Sequence, residues 1–280
     1  MKLLLGKPIA DDILNRLKSD ISLRGEKPGL AVILIGNDQA SHLYVSLKEK
    51  TACAIGMNFF RFDLAEKVPE NEVLNLIQKL NVDDKIHGII VQLPLPNDLN
   101  VEKVISSINP EKDVDGFSAE NVSNFLQGIK KIEPVFPHAI MLLIESSGEI
   151  LKGKNAVVIA NSDEFGKIMT VALEQKNISA EYFLAKKISA SIDTIREADI
   201  VVSAVGSPGL LNGQMLKEGV IIIDGGIEKV DGKVIGDVDF PSIKEKNGFI
   251  SPVPGGVGPV TIACLLENVC IAFKAQQKEK

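Results

Sequence analysis

Short runs of aliphatic and β-branched residues alternate along the chain with longer stretches whose apolar positions recur at helical spacing. Leu30–Ile35 (LAVILI) reads as a buried strand, and the segment from Gln39 to Gly56 as the helix after it. A strand follows at Phe59–Asp63, then a helix over Asn71–Leu80 with Val73, Leu74, Leu76 and Ile77 as its apolar positions. Gly88–Gln92 (GIIVQ) is the third strand, ended by the Pro94/Pro96 pair. Strand, helix, strand, helix, strand implies right-handed crossovers and a parallel sheet.

The pattern restarts after Pro134–Pro137. Ala156–Ala160 (AVVIA), Ala180–Leu184, Asp199–Val205 and Val220–Ile223 are four further strands, with helical segments between the earlier ones. Pro259 to about Gln276 forms a final amphipathic helix that packs back on the first domain, and Lys278–Lys280 a solvated tail. The expected class is α/β, with two parallel-sheet domains.

Composition narrows the function classes. A length of 280 residues agrees with two domains, at roughly 150 residues each. With 45% apolar and 24% charged residues the chain is neither disordered, collagen-like nor of low complexity. The balance of 31 Lys+Arg against 37 Asp+Glu leaves a net charge of −6. An electrostatic nucleic-acid binder is usually basic, so no nucleic-acid partner is expected. Cys53, Cys264 and Cys270 form no CxxC pair and read as small buried hydrophobes, consistent with a cytoplasmic protein. The apolar start of MKLLLGKPIADD is too short for a signal peptide. The longest uninterrupted apolar runs, Leu30–Ile35 and Ala139–Ile144, fall far short of the roughly 20 residues that span a bilayer, so no membrane role is expected.

In parallel sheets, ligands bind beyond the carboxyl ends of the strands. The first such loop is Gly36–Ser41, and the helix it opens carries Tyr44 and Lys48, an i,i+4 pair on one face. Short-chain dehydrogenases use this spacing after their nucleotide motif. Here it comes well ahead of the candidate nucleotide unit, which disfavours that family. Gln92 stands at a strand's carboxyl end before two prolines, either presenting its amide to a ligand or closing the strand. Asp113 and Asp115 precede Gly116, a pattern that makes an Asx turn or places a carboxylate in a pocket. No further ligands stand at metal-binding spacing, so no metal is expected.

Taken in order, Gly6-Lys7-x-Ile9-Ala10, Tyr44-x3-Lys48, VQLPLP (Val91–Pro96), EKDVDGF (Glu111–Phe117), GDVDF (Gly236–Phe240) and SPVPGGVGPVT (Ser251–Thr261) are specific. They resemble the bifunctional methylenetetrahydrofolate dehydrogenase/methenyltetrahydrofolate cyclohydrolase family over essentially the whole chain. The resemblance implies two α/β domains around a cleft, the second Rossmann-like. Residues 1–118 with 259–280 would form the folate-binding catalytic domain and 119–258 the NAD(P)-binding domain. It implies Lys48 as the catalytic residue, helped by Gln92, with Tyr44 on the flat folate and Asp115 on the pterin N–H groups. Pro254 and Gly255, in the loop matching Pro252–Pro259, would line the cleft. Ala160, Asn161, Ser162, Gly166 and Ile227 would hold NADP, with NAD as the other possibility. The family further implies a tetrahydrofolate substrate, a homodimer through the nucleotide domain, and a place in purine, methionine and histidine biosynthesis.

The nucleotide half departs from the family pattern. After AVVIA the family shows Gly-x-Ser-x-x-Val-Gly-x-Pro; this chain reads Ala160-Asn161-Ser162-Asp163-Glu164-Phe165-Gly166-Lys167-Ile168. Asp163 and Glu164 would oppose a nearby phosphate by on the order of 1–3 kcal/mol at an effective dielectric near 20, or form an acidic first helical turn facing solvent. The family's His-Ser pair is replaced by Leu184-Ala185, with Lys186 and Lys187 after it; these contact a phosphate or only make a solvated turn. The interdomain Pro-Cys-Thr-Pro-x-Gly reads Pro134-Val135-Phe136-Pro137-His138-Ala139, which places a histidine in that loop. Ile223–Ile227 keeps the strand end and glycine turn. Three readings follow: the bifunctional enzyme first, then a cyclohydrolase whose dehydrogenase activity is lost or switched to NAD, then a non-catalytic folate-binding paralogue.

Overall fold

The structure is a computed structural model that describes residues 1–129 and 131–278. The strands, in chain order, are β1 (Lys2–Leu3), β2 (Gly29–Ile35), β3 (Asn58–Leu64), β4 (Gly88–Val91), β5 (Asn155–Ala160), β6 (Ser179–Leu184), β7 (Ile200–Ala204), β8 (Val220–Asp224), β9 (Glu228–Val230), β10 (Lys233–Ile235) and β11 (Gly248–Ile250). The helices are α1 (Gly6–Ser22), α2 (Gln39–Ala54), α3 (Glu70–Val82), α4 (Val101–Ser106), α5 (Ala119–Leu126), α6 (Val135–Glu145), α7 (Asp163–Glu174), α8 (Ile192–Glu197), α9 (Phe240–Ile243) and α10 (Val257–Lys278). Of the expected tail, residues 279 and 280 lie outside the described residues, and α10 runs through Lys278.

The chain divides into two compact units. One comprises Asp11–Val135 with Ile262–Lys280 and is called here the first unit; the other, the second unit, comprises Met1–Ala10 with Phe136–Thr261. The boundary expected at 118/119 falls at 135/136, because α5 packs with what precedes it, and residues 1–10, expected with the catalytic domain, group with the second unit, where β1 pairs with β11. Asn121 donates to Pro110 O at 2.9 Å and to the Asp113 carboxylate at 3.1 Å. Asn268 on α10 donates to Val114 O and Glu133 O at 2.9 and 2.8 Å, tying the stretch up to Val135 into the first unit.

The sheet of the first unit is three-stranded, in the order β3-β2-β4, all parallel. Every residue of β2 is buried, which is why it reads as an unbroken apolar run. Ala31, Ile33 and Ile35 pack with Val73, Ile77 and Leu80 of α3 and with Val104 and Ile108. α2 ends where Gly56 takes φ +92°, a left-handed conformation that costs glycine little.

The second unit holds a six-stranded parallel sheet, in the order β1-β11-β8-β7-β5-β6. β6 lies on one side of β5 and β7 on the other, so the strand order reverses at β5, as in doubly wound nucleotide-binding sheets. β9 and β10 form a separate antiparallel hairpin. His138, expected in a loop, lies inside α6, because the preceding Pro137 falls in the first turn of that helix, where proline is tolerated.

α10 is long and apolar enough, by length and composition, to cross a membrane. Polar residues such as Glu267 and Asn268 break its apolar stretches, so no uninterrupted apolar run of the sequence marks it. Val260, Ala263, Cys264, Leu265, Leu266, Val269 and Cys270 are all buried, so its apolar surface is used within the protein. Burial also pushes the Cys264 and Cys270 thiols up to about 12, which disfavours the thiolate, whereas Cys53, expected to be buried with them, is exposed.

Candidate active site

In the first unit, the elements bring Lys48, Gln92 and Asp115 together. Asp38 caps α2, its carboxylate accepting from Ser41 N at 2.7 Å, and three turns carry Tyr44 and Lys48 on one side of the helix. Gln92 follows the last residue of β4, and its backbone N–H continues the ladder to Ile33 O at 2.8 Å. Its side chain accepts from Lys48 Nζ through Oε1 at 2.7 Å and donates through Nε2 to Leu93 O, also at 2.7 Å. The second bond decides which end of the amide faces the lysine. Leu93-Pro94 is a cis peptide.

Asp113 and Asp115 divide the two roles that the sequence left open. Asp113 is buried and makes the turn: its carboxylate accepts from Gly116 N at 3.1 Å, Ser118 N at 2.6 Å and Asn121 Nδ2 at 3.1 Å. Gly116 has φ +79°, and a Cβ there would stand 2.9 Å from the Glu133 carbonyl and Pro134 Cα, so the DGF turn requires glycine. Asp115 is left partly buried with its carboxylate free of the turn.

Lys48 is pulled below the ordinary lysine value by burial, with Asp115 opposing the shift. Asp115 is pushed up by burial, with Lys48 opposing it and Asp113 adding to it. A partly desolvated amine held by a neutral amide, beside a carboxylate, is suited to proton transfer nearer neutrality than a solvated lysine.

In the second unit, the sequence-predicted residues lie at or beyond the carboxyl ends of parallel strands. Ala160, fully buried, ends β5; Ser162 caps α7, its Oγ accepting from Phe165 N at 3.2 Å. Asn161 donates to Val205 O, after β7, at 2.6 Å. Gly166 is buried against Tyr182 of β6, and a Cβ there would run into the Tyr182 ring, so this glycine sets how closely α7 lies on the sheet. Asp163 and Glu164 are exposed, and Asp163 accepts from the Tyr182 hydroxyl at 3.0 Å. The bulk of Phe165 has a partner in Phe136, their ring centroids 5.5 Å apart, so two departures from the family pattern fill one space. Ile227 is exposed after β8. Pro254 and Gly255 follow β11; Gly255 O accepts from Gly6 N at 2.9 Å, joining the GKPIA and PVPGG motifs.

Two buried aspartates explain the IDGG and GDVDF motifs. Asp224 accepts from Asp237 N, Val238 N and Gly226 N at 2.9–3.2 Å. Asp237 accepts from Ser203 Oγ at 2.6 Å, Val205 N at 2.8 Å and Ser207 N at 2.6 Å. A Cβ on Gly226 or Gly236 would strike one of these carboxylates. Neither aspartate has a role that its residue type alone reveals; their proximity to glycines in both motifs is the available signal.

A doubly wound sheet with loops gathered at its carboxyl edge, in a chain that also holds a desolvated lysine–glutamine pair, defines a nucleotide-dependent α/β enzyme. Comparison with known proteins narrows the class. The tetrahydrofolate dehydrogenase/cyclohydrolase catalytic-domain profile matches residues 4–115, and the NAD(P)-binding-domain profile of the same family matches residues 134–277. The "Bifunctional protein FolD" of Moorella thermoacetica is 43% identical over 277 residues, covering 98% of this chain and 99% of the relative. The crystal structure of the FolD methylenetetrahydrofolate dehydrogenase/cyclohydrolase from Campylobacter jejuni superposes with a TM-score of 0.93 at 39% identity, covering 99% of both chains. The Trypanosoma brucei enzyme, solved with NADP cofactor and an inhibitor, gives a TM-score of 0.93 at 33% identity over 99% of this chain and 98% of that one. The chain belongs to the tetrahydrofolate dehydrogenase/cyclohydrolase family, with a catalytic domain followed by an NAD(P)-binding domain.

Proposed function

We propose that the protein oxidises 5,10-methylenetetrahydrofolate to 5,10-methenyltetrahydrofolate with NADP and hydrolyses the product to 10-formyltetrahydrofolate. The observation that carries this reading is the 2.7 Å contact between Lys48 Nζ and Gln92 Oε1, in a lysine whose burial favours the neutral amine. In the hydrolytic step a water oxygen bonds to the methenyl carbon and loses both its protons as it becomes the formyl oxygen; one passes to solvent with the charge of the cation, a carbon–nitrogen bond breaks, and the freed nitrogen gains the other proton. Lys48 Nζ takes and returns that proton, Gln92 aims the amine, Tyr44 supports the flat folate, and Asp115 accepts from pterin N–H groups.

The residues of the second unit fit a dinucleotide. α7 begins at the carboxyl end of β5, Ser162 caps Phe165 N, and Gly166 lets the helix seat closely. Ala160, Asn161, Ser162, Gly166 and Ile227 would hold it, with Pro254 and Gly255 on the folate side. When bound, NADP supplies an acceptor for the hydride. Asp163 is already engaged by Tyr182, so its carboxylate has a partner within the protein. We also propose a cytoplasmic homodimer whose product serves purine, methionine and histidine biosynthesis.

The test is methenyltetrahydrofolate formation from 5,10-methylenetetrahydrofolate with NADP and NAD side by side, with hydrolysis of methenyltetrahydrofolate assayed in the same preparation. Oxidation is expected with NADP, and hydrolysis is expected to fall about 100-fold or more in Lys48→Met. Hydrolysis without any nucleotide-dependent oxidation would reduce the protein to a cyclohydrolase; oxidation with NAD alone would reassign the cofactor. The absence of both activities would make it a binding protein.

A further inference from the structure

α2 rests on the sheet through a buried stripe of Ser41, Val45 and Ala52. At 3.6 residues per turn, Tyr44 and Lys48 lie on one shoulder of that stripe, and His42, Ser46 and Glu49 on the other, about 140° away around the axis. Each shoulder is held by a different strand. On the β4 side Gln92 holds Lys48 Nζ. On the β3 side Arg61 holds the opposite shoulder. Its Nη2 lies 2.9 Å from His42 Nδ1, its Nη1 reaches Ser46 Oγ at 3.4 Å and lies 3.7 Å from Glu49. Its Nε is anchored to both oxygens of Asp63, two residues on along β3, at 2.9 and 3.0 Å.

The chemistry of the His42 contact is one-directional. A guanidinium only donates, so Nδ1 of His42 is the acceptor and the ring proton sits on Nε2. That nitrogen lies 3.3 Å from Gly36 O, at the end of β2. A single arginine thus links β3, the end of β2 and three residues of α2. Exposed ion pairs contribute little to stability, and the Arg61 side chain is only 23% exposed; the geometry of the fork, more than its charge, is what distinguishes this contact.

We propose that Arg61, acting through His42, is a positioning residue for Lys48: it fixes the roll of α2 on its buried stripe and so holds Nζ against Gln92. The inference rests on the reading of Lys48 as the proton-transfer group. A helix held on one shoulder only would let Nζ swing away from Gln92 and toward water. Asp115, Gln92 and Tyr44 face Lys48, while Asp63 and Glu49 stand beside Arg61, so removing Arg61 changes no charge next to the amine.

The test compares wild type with Arg61→Met, which keeps the apolar stem, and His42→Leu, which keeps Arg61 but removes its link to the helix. Each is assayed for hydrolysis, and Lys48 is titrated by 13Cε NMR. Both variants are expected to lower kcat about ten-fold with KM changed less than two-fold, since small displacements of a catalytic group are costly. In both, the Lys48 titration point is expected to move up toward the ordinary lysine value. Loss of stability alone would leave that point where it was. An unchanged kcat and unchanged titration in a folded His42→Leu protein would overturn the inference even if Arg61→Met does not fold. Lys48→Met, run in parallel, separates the two claims: if it hydrolyses methenyltetrahydrofolate at the wild-type rate, the role of Lys48 itself is overturned.

Discussion

Lys48 and Gln92 show how a neutral partner sets the reactivity of an amine. An amide oxygen 2.7 Å from Nζ satisfies one N–H without adding a charge that would pin the proton in place, and burial then favours the neutral form. Gln92→Glu preserves the shape and reverses that logic, because the new carboxylate stabilises the ammonium. The acid limb of the kcat–pH profile for hydrolysis is expected to move to higher pH in Gln92→Glu, with kcat near neutrality reduced by about ten-fold or more. A profile that overlays the wild type would show that Gln92 does not govern the proton on Lys48. The same shift carries a stability cost. A lysine lowered in the folded state binds fewer protons than in the unfolded chain, so its penalty is present at neutral pH. That penalty is relieved as pH rises through the interval up to the usual 10.5.

Among the elements, α7 and its strands illustrate what the hydrophobic pattern reveals. β2, β4, β5, β7 and β8 are buried on both faces and short, so their unbroken apolar runs mark them within a residue or two. β1 and β11 are two and three residues long, too short to carry any period, and exist only because they pair with each other and with β8. α1 is masked in the sequence by a Gly-Lys-Pro that reads as a break, although Ala10, Ile13, Leu17 and Ile21 behind it are buried at helical spacing. The β9–β10 hairpin was announced by Asp231-Gly232, both at positive φ. The partners of the site were less legible. Tyr44-x3-Lys48 took its meaning only from the surrounding motifs, and nothing in the sequence links His42 to Arg61, since an edge-strand arginine and a helix histidine share no spacing. Gly166 marks where element packing enters function. Gly166→Ala places a methyl group in the Tyr182 ring, and a loss of about 1–3 kcal/mol is expected by urea denaturation. NADP affinity by calorimetry should fall, while hydrolysis at the first unit persists. Unchanged stability would show that α7 can lift from β6 without cost.

For the whole molecule, the buried Asp224 makes stability a function of pH. Asp224 is pushed up to about 6, by burial first and also by the neighbouring Asp237, while its backbone hydrogen bonds oppose the shift. The folded chain therefore holds that proton more tightly than the unfolded one. The stabilisation is full below the ordinary value of 3.8 and is lost as pH rises through about 6, on the order of 2–3 kcal/mol in all. Urea midpoints of the second unit are expected to decline between about pH 4 and pH 7, and Asp224→Asn to flatten that decline. An equal slope in the variant would assign it to other groups. Neither unit is continuous in the chain: the three-stranded sheet formed by residues 29–91 belongs with a helix that arrives only after residue 262. A ribosome working from the amino end therefore makes the strands around Lys48 early and the helix that carries Asn268 last. The carbonyls of Val114 and Glu133 wait through the synthesis of β5 to β11 for the Asn268 side chain that bonds them both. Most of the folate half is therefore translated ahead of β5 to β11 and is completed only after them, while the ten residues that lead the chain wait in turn for the second unit they belong to.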